Sequence, residues 1–236
     1  MKILFWNTHS KAPDESIARI MKTRVVDLAI LLEYVGHLTS LLEMLNRESV
    51  EFHLVPSLVE DRFVFLSRFD SSFFPIAHES PRLVLRRLSM PALPELLIGT
   101  VHGPDMRNHN SDARLQEAFH LVQAVREAEG KVGHARTVLV GDFNASPYEP
   151  AMVTAAAFNA MPSRKIAARI DRTVQNRTYP FFYNPMWSRL GDDSKGPPGT
   201  FYYDGGDATN VYWYMLDQVL LRPEALPLST WHSLRF

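Results

Sequence analysis

The sequence predicts an α/β fold in which mixed β-sheets pack face to face with helices outside them. Strand-like apolar runs outnumber helical patterns, and several neighbouring runs lack the helical crossover that a wholly parallel sheet needs. With 236 residues, 46% of them hydrophobic, the chain is long enough to bury one large core or two modest ones, and one is expected. No repeat, charge block or linker interrupts the pattern, so we predict a single domain over residues 1–236.

The first half of the chain alternates apolar runs with two helical patterns. The run from Lys2 to Asn7 ends in a polar residue, which is typical of a buried strand whose tip lies at a rim. Helices are predicted over 16–22 and where leucines recur at Leu38, Leu41, Leu42 and Leu45. Further strands are predicted over 25–35, 50–56, 62–69, 82–90 and 96–103.

A long helix is the clearest pattern of the second half. Ser111 is expected to cap its start and Gly130 to end it, and apolar residues recur at Leu115, Phe119, Val122 and Val125. The strand TVLVGDFN follows, and a helix of small residues is predicted beyond Glu149. The segments TFYY and YWYMLDQVLLR are predicted as the closing strands.

Composition narrows the classes of protein. A formal net charge of -1 and a pI near 6.8 exclude a nucleic-acid binder that is basic overall. They do not exclude a local positively charged groove. The absence of cysteine excludes a disulfide framework and any thiolate nucleophile. The start lacks a signal-peptide core, and no apolar stretch reaches the roughly 18 residues of a spanning helix. We therefore expect a cytoplasmic protein whose site uses oxygen and imidazole groups.

Polar residues at the tips of the predicted strands are the candidate functional residues. A single polar residue at such a tip is usually a solvated edge or a turn former. A series of them, all of types that bind cations or phosphate oxygens, indicates a site instead. Asp142 and Asn144 are two positions apart in an extended segment, so both side chains project from one face. The full set is Asn7, Glu33, His102, Asp142, Asn144 and Asp217.

The motifs around these residues resemble those of the endonuclease/exonuclease/phosphatase superfamily, which includes deoxyribonuclease-I-like enzymes and abasic-site endonucleases. The resemblance runs in order from Lys2 to Leu221 and implies a four-layer α/β sandwich of two packed mixed β-sheets. The matching motifs are FWN at Asn7, ILLEYV at Glu33, TVHGP at His102, VGDFN at Asp142 and Asn144, and MLDQVLL at Asp217.

The resemblance also implies roles for these residues. Glu33, with Asn7, would hold Mg²⁺ or Mn²⁺, because hard cations prefer oxygen ligands. Asp142 would orient or deprotonate the attacking water, while Asn7, Asn144 and His102 would bind phosphate oxygens. Asp217 matches the buried Asp of a late strand. A carboxylate would keep His102 protonated, and the segment VEDRFVFL offers Glu60 or Asp61, of which Asp61 is the expected partner.

One family motif has no match in this sequence. The family ends with Ser-Asp-His on its last strand, and the His pairs with the Asp that Asp217 matches. Only 19 residues follow Asp217, and the later His232 has no Asp before it. A chain cut short, a natural product without the last strand, and a relative that binds without cleaving would each explain this. The first is expected, since a missing last strand would leave apolar sheet surface uncovered.

Function within the family stays open at this point. A nuclease acting on nucleic acid is expected first, a phosphatase or phosphodiesterase on a small or lipid phosphate second, and an inactive binding module third. Five arginines could line a groove that follows phosphates, or could protect strand edges; they are Arg62, Arg68, Arg82, Arg86 and Arg87. Five aromatic residues could stack on bases, or could simply pack between strands; they are Tyr202, Tyr203, Tyr212, Trp213 and Tyr214.

The sequence favours two other classes of metal site less. A calcineurin-like metallophosphatase needs Asp-x-His near its start and a later Gly-Asn-His-Glu, and the sequence has neither. His102, Asp105 and His109 could form a transition-metal site, but polar loops such as GPDMRNHN often collect these residues by chance.

Overall fold

The computed structural model describes residues 1–49, 51–58, 62–192, 196–206 and 208–228. The chain divides into two compact units, Met1–Glu95 and Leu96–Phe236. Within the described residues, no helix is both long and apolar enough to cross a membrane. The prediction of a single domain stays a prediction.

The first unit combines six strands with two α-helices among its described residues. Its strands are β1 (Ile3–Asn7), β2 (Leu28–Leu32), β3 (His53–Val55), β4 (Phe63–Ser67), β5 (Ile76–Ser80) and β6 (Leu83–Leu88). Its helices are α1 (Asp14–Thr23) and α2 (Leu38–Leu45).

A four-stranded mixed sheet in the order β1-β2-β4-β3 organises the first unit. β1 and β2 are parallel and are joined through α1, whereas β4 runs antiparallel to β2 and to β3. Every residue of the central strands β2 and β4 is buried, which explains why both read as unbroken apolar runs. β5 and β6 form an antiparallel hairpin.

The core of the first unit lies between this sheet and its two helices. Ile17 and Met21 of α1 and Leu41 of α2 are fully buried against sheet residues such as Leu31 and Leu66. Each large apolar side chain buried in this way contributes about 1.5–3 kcal/mol of transfer free energy. The packing holds the carboxyl ends of β1 and β2 in place at one edge of the sheet.

The second unit contains nine strands and three α-helices among its described residues. Its strands are β7 (Leu96–His102), β8 (Thr137–Asp142), β9 (Ala160–Met161), β10 (Asp171–Val174), β11 (Arg177–Pro180), β12 (Phe182–Tyr183), β13 (Phe201–Tyr202), β14 (Trp213–Tyr214) and β15 (Asp217–Leu221). Its helices are α3 (Ser111–Val132), α4 (Pro150–Val153) and α5 (Arg164–Ala167).

A βαβ unit forms the centre of the second unit. β7 and β8 are parallel neighbours connected by α3, and β15 runs antiparallel along the other side of β8. The sheet continues through β12 to β9. Because β15 is antiparallel, its amino end meets the carboxyl ends of β7 and β8 at one edge. That edge carries the candidate residues of this unit.

The two ends of α3 differ from the prediction. The cap is Asn110, whose side chain accepts a hydrogen bond from the Ala113 N–H, so Ser111 is already helical. Gly130 lies inside the helix, and Gly133 ends it with a φ of 77°. Glycine adopts this left-handed conformation without a steric penalty, which makes it the common residue after a helix. The expected cap and stop were therefore wrong by one and three positions.

A buried ion pair ties three parts of the second unit together. Arg222, 1% exposed, donates from Nε to Glu129 Oε1 at 2.8 Å and from Nη2 to Glu129 Oε2 at 3.1 Å. The Thr137 hydroxyl donates to the same carboxylate at 2.6 Å, and the guanidinium lies 3.9 Å from the ring centroid of Phe182. The pair joins α3, the start of β8 and the segment after β15.

The described strands group into two main mixed sheets, of four and seven strands, and two short ribbons. This content confirms the predicted α/β class with two mixed sheets. Most predicted strands are present but shorter, such as β2, which covers five of the residues predicted over 25–35. YWYMLDQVLLR contains two strands rather than one. The prediction missed β5, α5 and β9 to β12, most of which are too short for a periodic pattern.

Candidate active site

Three candidate side chains lie in one row across neighbouring strands of the second unit. His102 ends β7 and pairs with Asp142 at the end of β8, and Asp142 pairs on its other side with Asp217 at the start of β15. Across an antiparallel pair such as β8 and β15, residues directly opposite each other have their Cβ atoms about 4.5–5.5 Å apart, and His102 is opposite Asp142 on the parallel neighbour β7. The row therefore brings an imidazole and two carboxylates together at one edge of the sheet.

One carboxyl of this row, that of Asp217, holds its proton more tightly than an ordinary aspartic acid. The pKa of Asp217 is raised to about 8, chiefly because its carboxyl is buried and also because the charge of Asp142 is close. A hydrogen bond from the Thr200 side chain acts in the opposite direction. A buried carboxyl whose pKa is raised in this way can hold a proton at a pH at which an ordinary carboxyl has lost it, which suits a role as a proton donor.

Thr200 is a residue of this site that the sequence did not single out. Besides its bond to the Asp217 carboxyl, its hydroxyl accepts hydrogen bonds from the backbone N–H groups of Leu216 and Asp217, both at 3.0 Å. Its own N–H donates to the Tyr214 carbonyl at 2.8 Å. A Cβ at Gly199 would lie 2.7 Å from the Tyr214 carbonyl oxygen, so glycine permits this close approach.

The loop after β8 presents Asn144 beside the row. Asn144 has a φ of 49°, a left-handed conformation that asparagine tolerates better than most residues. Its N–H donates to Asp142 Oδ1 at 2.9 Å, and its Nδ2 donates to the Gly103 carbonyl at 3.1 Å. Asn144 is 9% exposed and Asp142 is 8% exposed, so the loop is ordered by its own buried hydrogen bonds.

Two glycines allow the backbones of β7 and β8 to meet closely at this edge. A Cβ at Gly103 would lie 2.2 Å from the Phe143 carbonyl oxygen, and one at Gly141 would lie 2.1 Å from the Val101 carbonyl oxygen. Any larger residue would push the loop away from β7. Gly103 of TVHGP and Gly141 of VGDFN are therefore required for steric reasons in this fold.

The first unit places the other two candidates at the ends of neighbouring strands. Asn7 ends β1 opposite Leu32, and Glu33 directly follows Leu32 at the end of β2. Glu33 has a φ of 54° and its N–H donates to the Arg62 carbonyl at 3.1 Å. Asn7 Oδ1 accepts from the His9 N–H at 2.9 Å. Both residues are partly exposed, and their oxygen atoms are of the type that hard cations bind.

The other sequence candidates have different outcomes. Glu60 and Asp61 lie outside the described residues. Asp105 accepts backbone hydrogen bonds from Arg107 and Asn108 within its own loop, as in an ordinary polar turn. Among the described residues, no three or more His, Asp or Glu side chains are grouped to hold a metal ion. The structure thus gives no support to a transition-metal site at His102, Asp105 and His109.

Three of the arginines considered for a phosphate groove pair with carboxylates of the first unit. Arg86, 2% exposed, forms a buried ion pair with Glu79. Arg87 Nη2 lies 2.8 Å from Glu95, and Arg68 Nη1 lies 3.2 Å from Glu51. Their charges are therefore largely neutralised locally.

The aromatic residues near β13 and β14 are partly on the surface. Tyr202 is 51% exposed and Tyr212 is 50% exposed, and their rings stack with centroids 6.4 Å apart. Trp213 lies against Tyr202 at 5.1 Å. Part of the set packs between the two strands, and part offers flat faces to solvent.

Comparison with known proteins decides the family. The sequence profile of the Endonuclease/Exonuclease/phosphatase family matches residues 4–235, nearly the whole chain. The chain belongs to this family. The resemblance inferred from the strand-end motifs is confirmed. A comparison with curated proteins gave no match.

Solved structures agree with this membership. An endonuclease/exonuclease/phosphatase family protein from Bacteroides thetaiotaomicron is 14% identical with a TM-score of 0.56, covering 94% of this chain and 82% of that one. Truncated TDP2 from Caenorhabditis elegans is 16% identical with a TM-score of 0.53, covering 93% and 82%. TDP2 from D. rerio, solved with a single-strand DNA product, is 15% identical with a TM-score of 0.53, covering 93% and 82%. At these identities the likeness shows a shared α/β sandwich of the deoxyribonuclease-I type and nothing further.

Proposed function

We propose that this family member is a divalent-metal-dependent hydrolase that cleaves phosphodiester bonds of nucleic acid by attack of an activated water. The observation that carries the proposal is the row of His102, Asp142 and Asp217 on three adjacent strands, with Asn144 beside it. Phosphoryl transfer needs an activated water, hydrogen-bond donors for the phosphate oxygens and a proton for the leaving oxygen.

Each residue of the row has a separate task in this proposal. Asp142 orients the attacking water and takes its proton. His102 and Asn144 donate hydrogen bonds to phosphate oxygens, and Asn144 does so without adding charge. Asp217, whose pKa is raised to about 8, holds the proton that the leaving oxygen requires.

The proposed metal ligands are Glu33 and Asn7, with Mg²⁺ or Mn²⁺ as the cation. They fit such an ion chemically, because both offer oxygen atoms and Mg²⁺ commonly takes only one or two protein carboxylates and keeps several waters. When bound, the ion supplies Lewis-acid stabilisation of charge on the phosphate. We expect the chain to bind Mg²⁺ measurably, and the Mg²⁺ affinity should fall in a Glu33→Gln variant.

Nucleic acid is the proposed substrate class. The exposed faces of Tyr202 and Tyr212 can stack on bases, which have π-faces in every sequence. D. rerio TDP2, which has a similar fold, was solved with a single-strand DNA product. A small or lipid phosphate ester remains the second candidate for the same chemistry, and no described residue favours it over nucleic acid.

Turnover of a panel of substrates tests the proposal. Single-stranded DNA, duplex DNA, RNA and a small chromogenic phosphodiester would be incubated with the chain in Mg²⁺, Mn²⁺ or EDTA. Asp142→Asn is the test variant, and Asp171→Asn, at an exposed position of β10, is the matched control. Cleavage that EDTA and Asp142→Asn abolish and Asp171→Asn preserves is the expected result. Cleavage that survives EDTA would overturn the metal requirement, and no turnover of any substrate would favour the inactive binding module.

A further inference from the structure

The backbone of Asn144 is held from two directions. It is left-handed, with a φ of 49°, a conformation that asparagine adopts more readily than most residues. Its N–H is held within the loop by Asp142. Its carbonyl is held from outside, because Arg114 Nη1 on α3 donates to it at 2.8 Å. Both ends of the residue are therefore fixed, one by the β8 loop and the other by the helix.

Arg114 is in turn fixed by Glu149. Arg114 Nη1 lies 2.6 Å from Glu149 Oε2, and the two side chains are only 12% and 16% exposed. Glu149 Oε1 also accepts a hydrogen bond from the Ser146 N–H at 2.8 Å. An ion pair this enclosed is screened less by solvent than a surface pair. Arg114 and Glu149 thus bracket the loop from Asn144 to Ser146 on both sides.

The Asn144 carboxamide extends from the backbone that this bracket holds. An asparagine amide has two N–H donors, and one of those on Asn144 is used by the Gly103 carbonyl. With the backbone held, the second N–H keeps a constant direction toward a ligand. We propose that Arg114, held by Glu149, is a positioning residue that orients Asn144 for binding a substrate phosphate. This inference rests on the function proposed above.

Variants of two arginines on helix α3 distinguish a positioning role of Arg114 from a role in protein stability alone. Arg114→Met keeps most of the apolar stem and removes both hydrogen bonds, whereas Arg114→Lys keeps the charge and can reach fewer acceptors. Arg126→Met is the matched control, because Arg126 is a half-buried arginine of α3 that lies 5.4 Å from the Tyr179 ring centroid. Glu149→Gln tests the second member of the bracket, alone and combined with Arg114→Met.

The kcat and KM values of these variants should differ. We expect Arg114→Met to lower kcat about tenfold or more with a smaller change in KM, since a misplaced catalytic group can cost about 10²-fold. Arg114→Lys should recover part of the loss, and Arg126→Met should stay within about twofold of the wild type by the same reasoning. The double variant with Glu149→Gln should be no slower than Arg114→Met alone, as expected of residues that act as a unit. Equal rates for Arg114→Met and Arg126→Met, or losses that multiply in the double variant, would overturn the proposal.

A second readout keeps this test independent of turnover. Hydrogen exchange of the Asn144 backbone and side-chain amides, followed by NMR on the full chain, should accelerate in Arg114→Met and not in Arg126→Met. If the wild type cleaves nothing while exchange is selectively faster, the proposed function fails and the positioning of Asn144 stands. Unchanged Asn144 exchange in Arg114→Met would contradict the positioning role whatever the enzyme does.

Discussion

Asp217 lies directly opposite Asp142 across the antiparallel pair of β15 and β8, so two carboxyl groups share one end of the sheet. Like charges this close resist ionising together. Burial of its carboxyl is the larger cause of the raised pKa of Asp217, the charge of Asp142 adds to it, and a hydrogen bond from Thr200 acts against it. The proposed roles, in which Asp142 acts on the attacking water and Asp217 holds a proton, rest on this juxtaposition.

Asp217 should make the protein less stable as pH rises. Its pKa is raised from 3.8 to about 8, so the folded state holds a proton that the unfolded state releases. Stability from this group is therefore fully present below about pH 4 and is lost as pH rises toward 8. Asp217→Asn should remove this dependence of stability on pH. The Tm of the variant, measured relative to the wild-type Tm, should therefore rise between pH 4 and pH 9. A difference in Tm that stays constant across this range would show that Asp217 has an ordinary pKa.

Loss of the Thr200 hydroxyl should shift the pH dependence of the site upward. Thr200→Val removes a hydrogen bond that lowers the pKa of Asp217, so the proton should be retained to higher pH. Thr200→Ser keeps a hydroxyl and serves as the control. NMR titration of the Asp217 carboxyl would give the pKa in each variant. A lower value in Thr200→Val, or the same shift in Thr200→Ser, would contradict this role.

A methyl group at Gly103 should damage both fold and site. Its Cβ would lie 2.2 Å from the Phe143 carbonyl oxygen, a backbone atom that cannot yield alone. We expect Gly103→Ala to cost about 1–3 kcal/mol, typical of overpacking, and to reduce activity because Gly103 accepts from Asn144. Gly130→Ala is the control, since nothing lies within 4 Å and alanine should stabilise helix α3 by about 0.5–1 kcal/mol. Denaturant unfolding would compare them, and equal stabilities would refute the close approach.

Removal of one member of the buried ion pair should be costly. Arg222→Met leaves the Glu129 carboxylate in the core with the Thr137 hydroxyl but without its cation. Loss of one partner of such a pair costs about 3–5 kcal/mol. The double variant Arg222→Met with Glu129→Gln should recover much of that loss because no unpaired charge remains. A double variant that is less stable than Arg222→Met would mean that the charge on Glu129 is not what destabilises the single variant.

The sequence predicted best what depends on local pattern. β2 is an unbroken apolar run because it is central and buried, and Glu33 directly follows it. Polar residues also end β1, β7 and β8, at Asn7, His102 and Asp142, so the apolar pattern was enough to predict that these residues lie at strand ends. The predicted ends of α3 were wrong, because Gly130 and Gly133 look alike in sequence and only the backbone conformation separates them.

Contacts between distant segments could not be predicted. Thr200 reaches Asp217 across 17 positions, and Arg114 reaches Asn144 across 30, with no spacing rule to link them. Arg86 belongs to an alternating strand typical of a sheet edge, yet it is 2% exposed because Glu79 accompanies it into the interior. Such pairs become visible only when the fold brings their elements together.

The central claim is tested most directly by the kcat/KM of nucleic-acid cleavage in Mg²⁺. The variants are His102→Gln, Asp142→Asn and the double variant, and each is checked for native structure by circular dichroism. If the row acts as one unit, each single change should cost about 10²-fold or more and the double variant little beyond the worse single one. Cleavage by folded Asp142→Asn at close to the wild-type rate would contradict the assignment of this row as the active site.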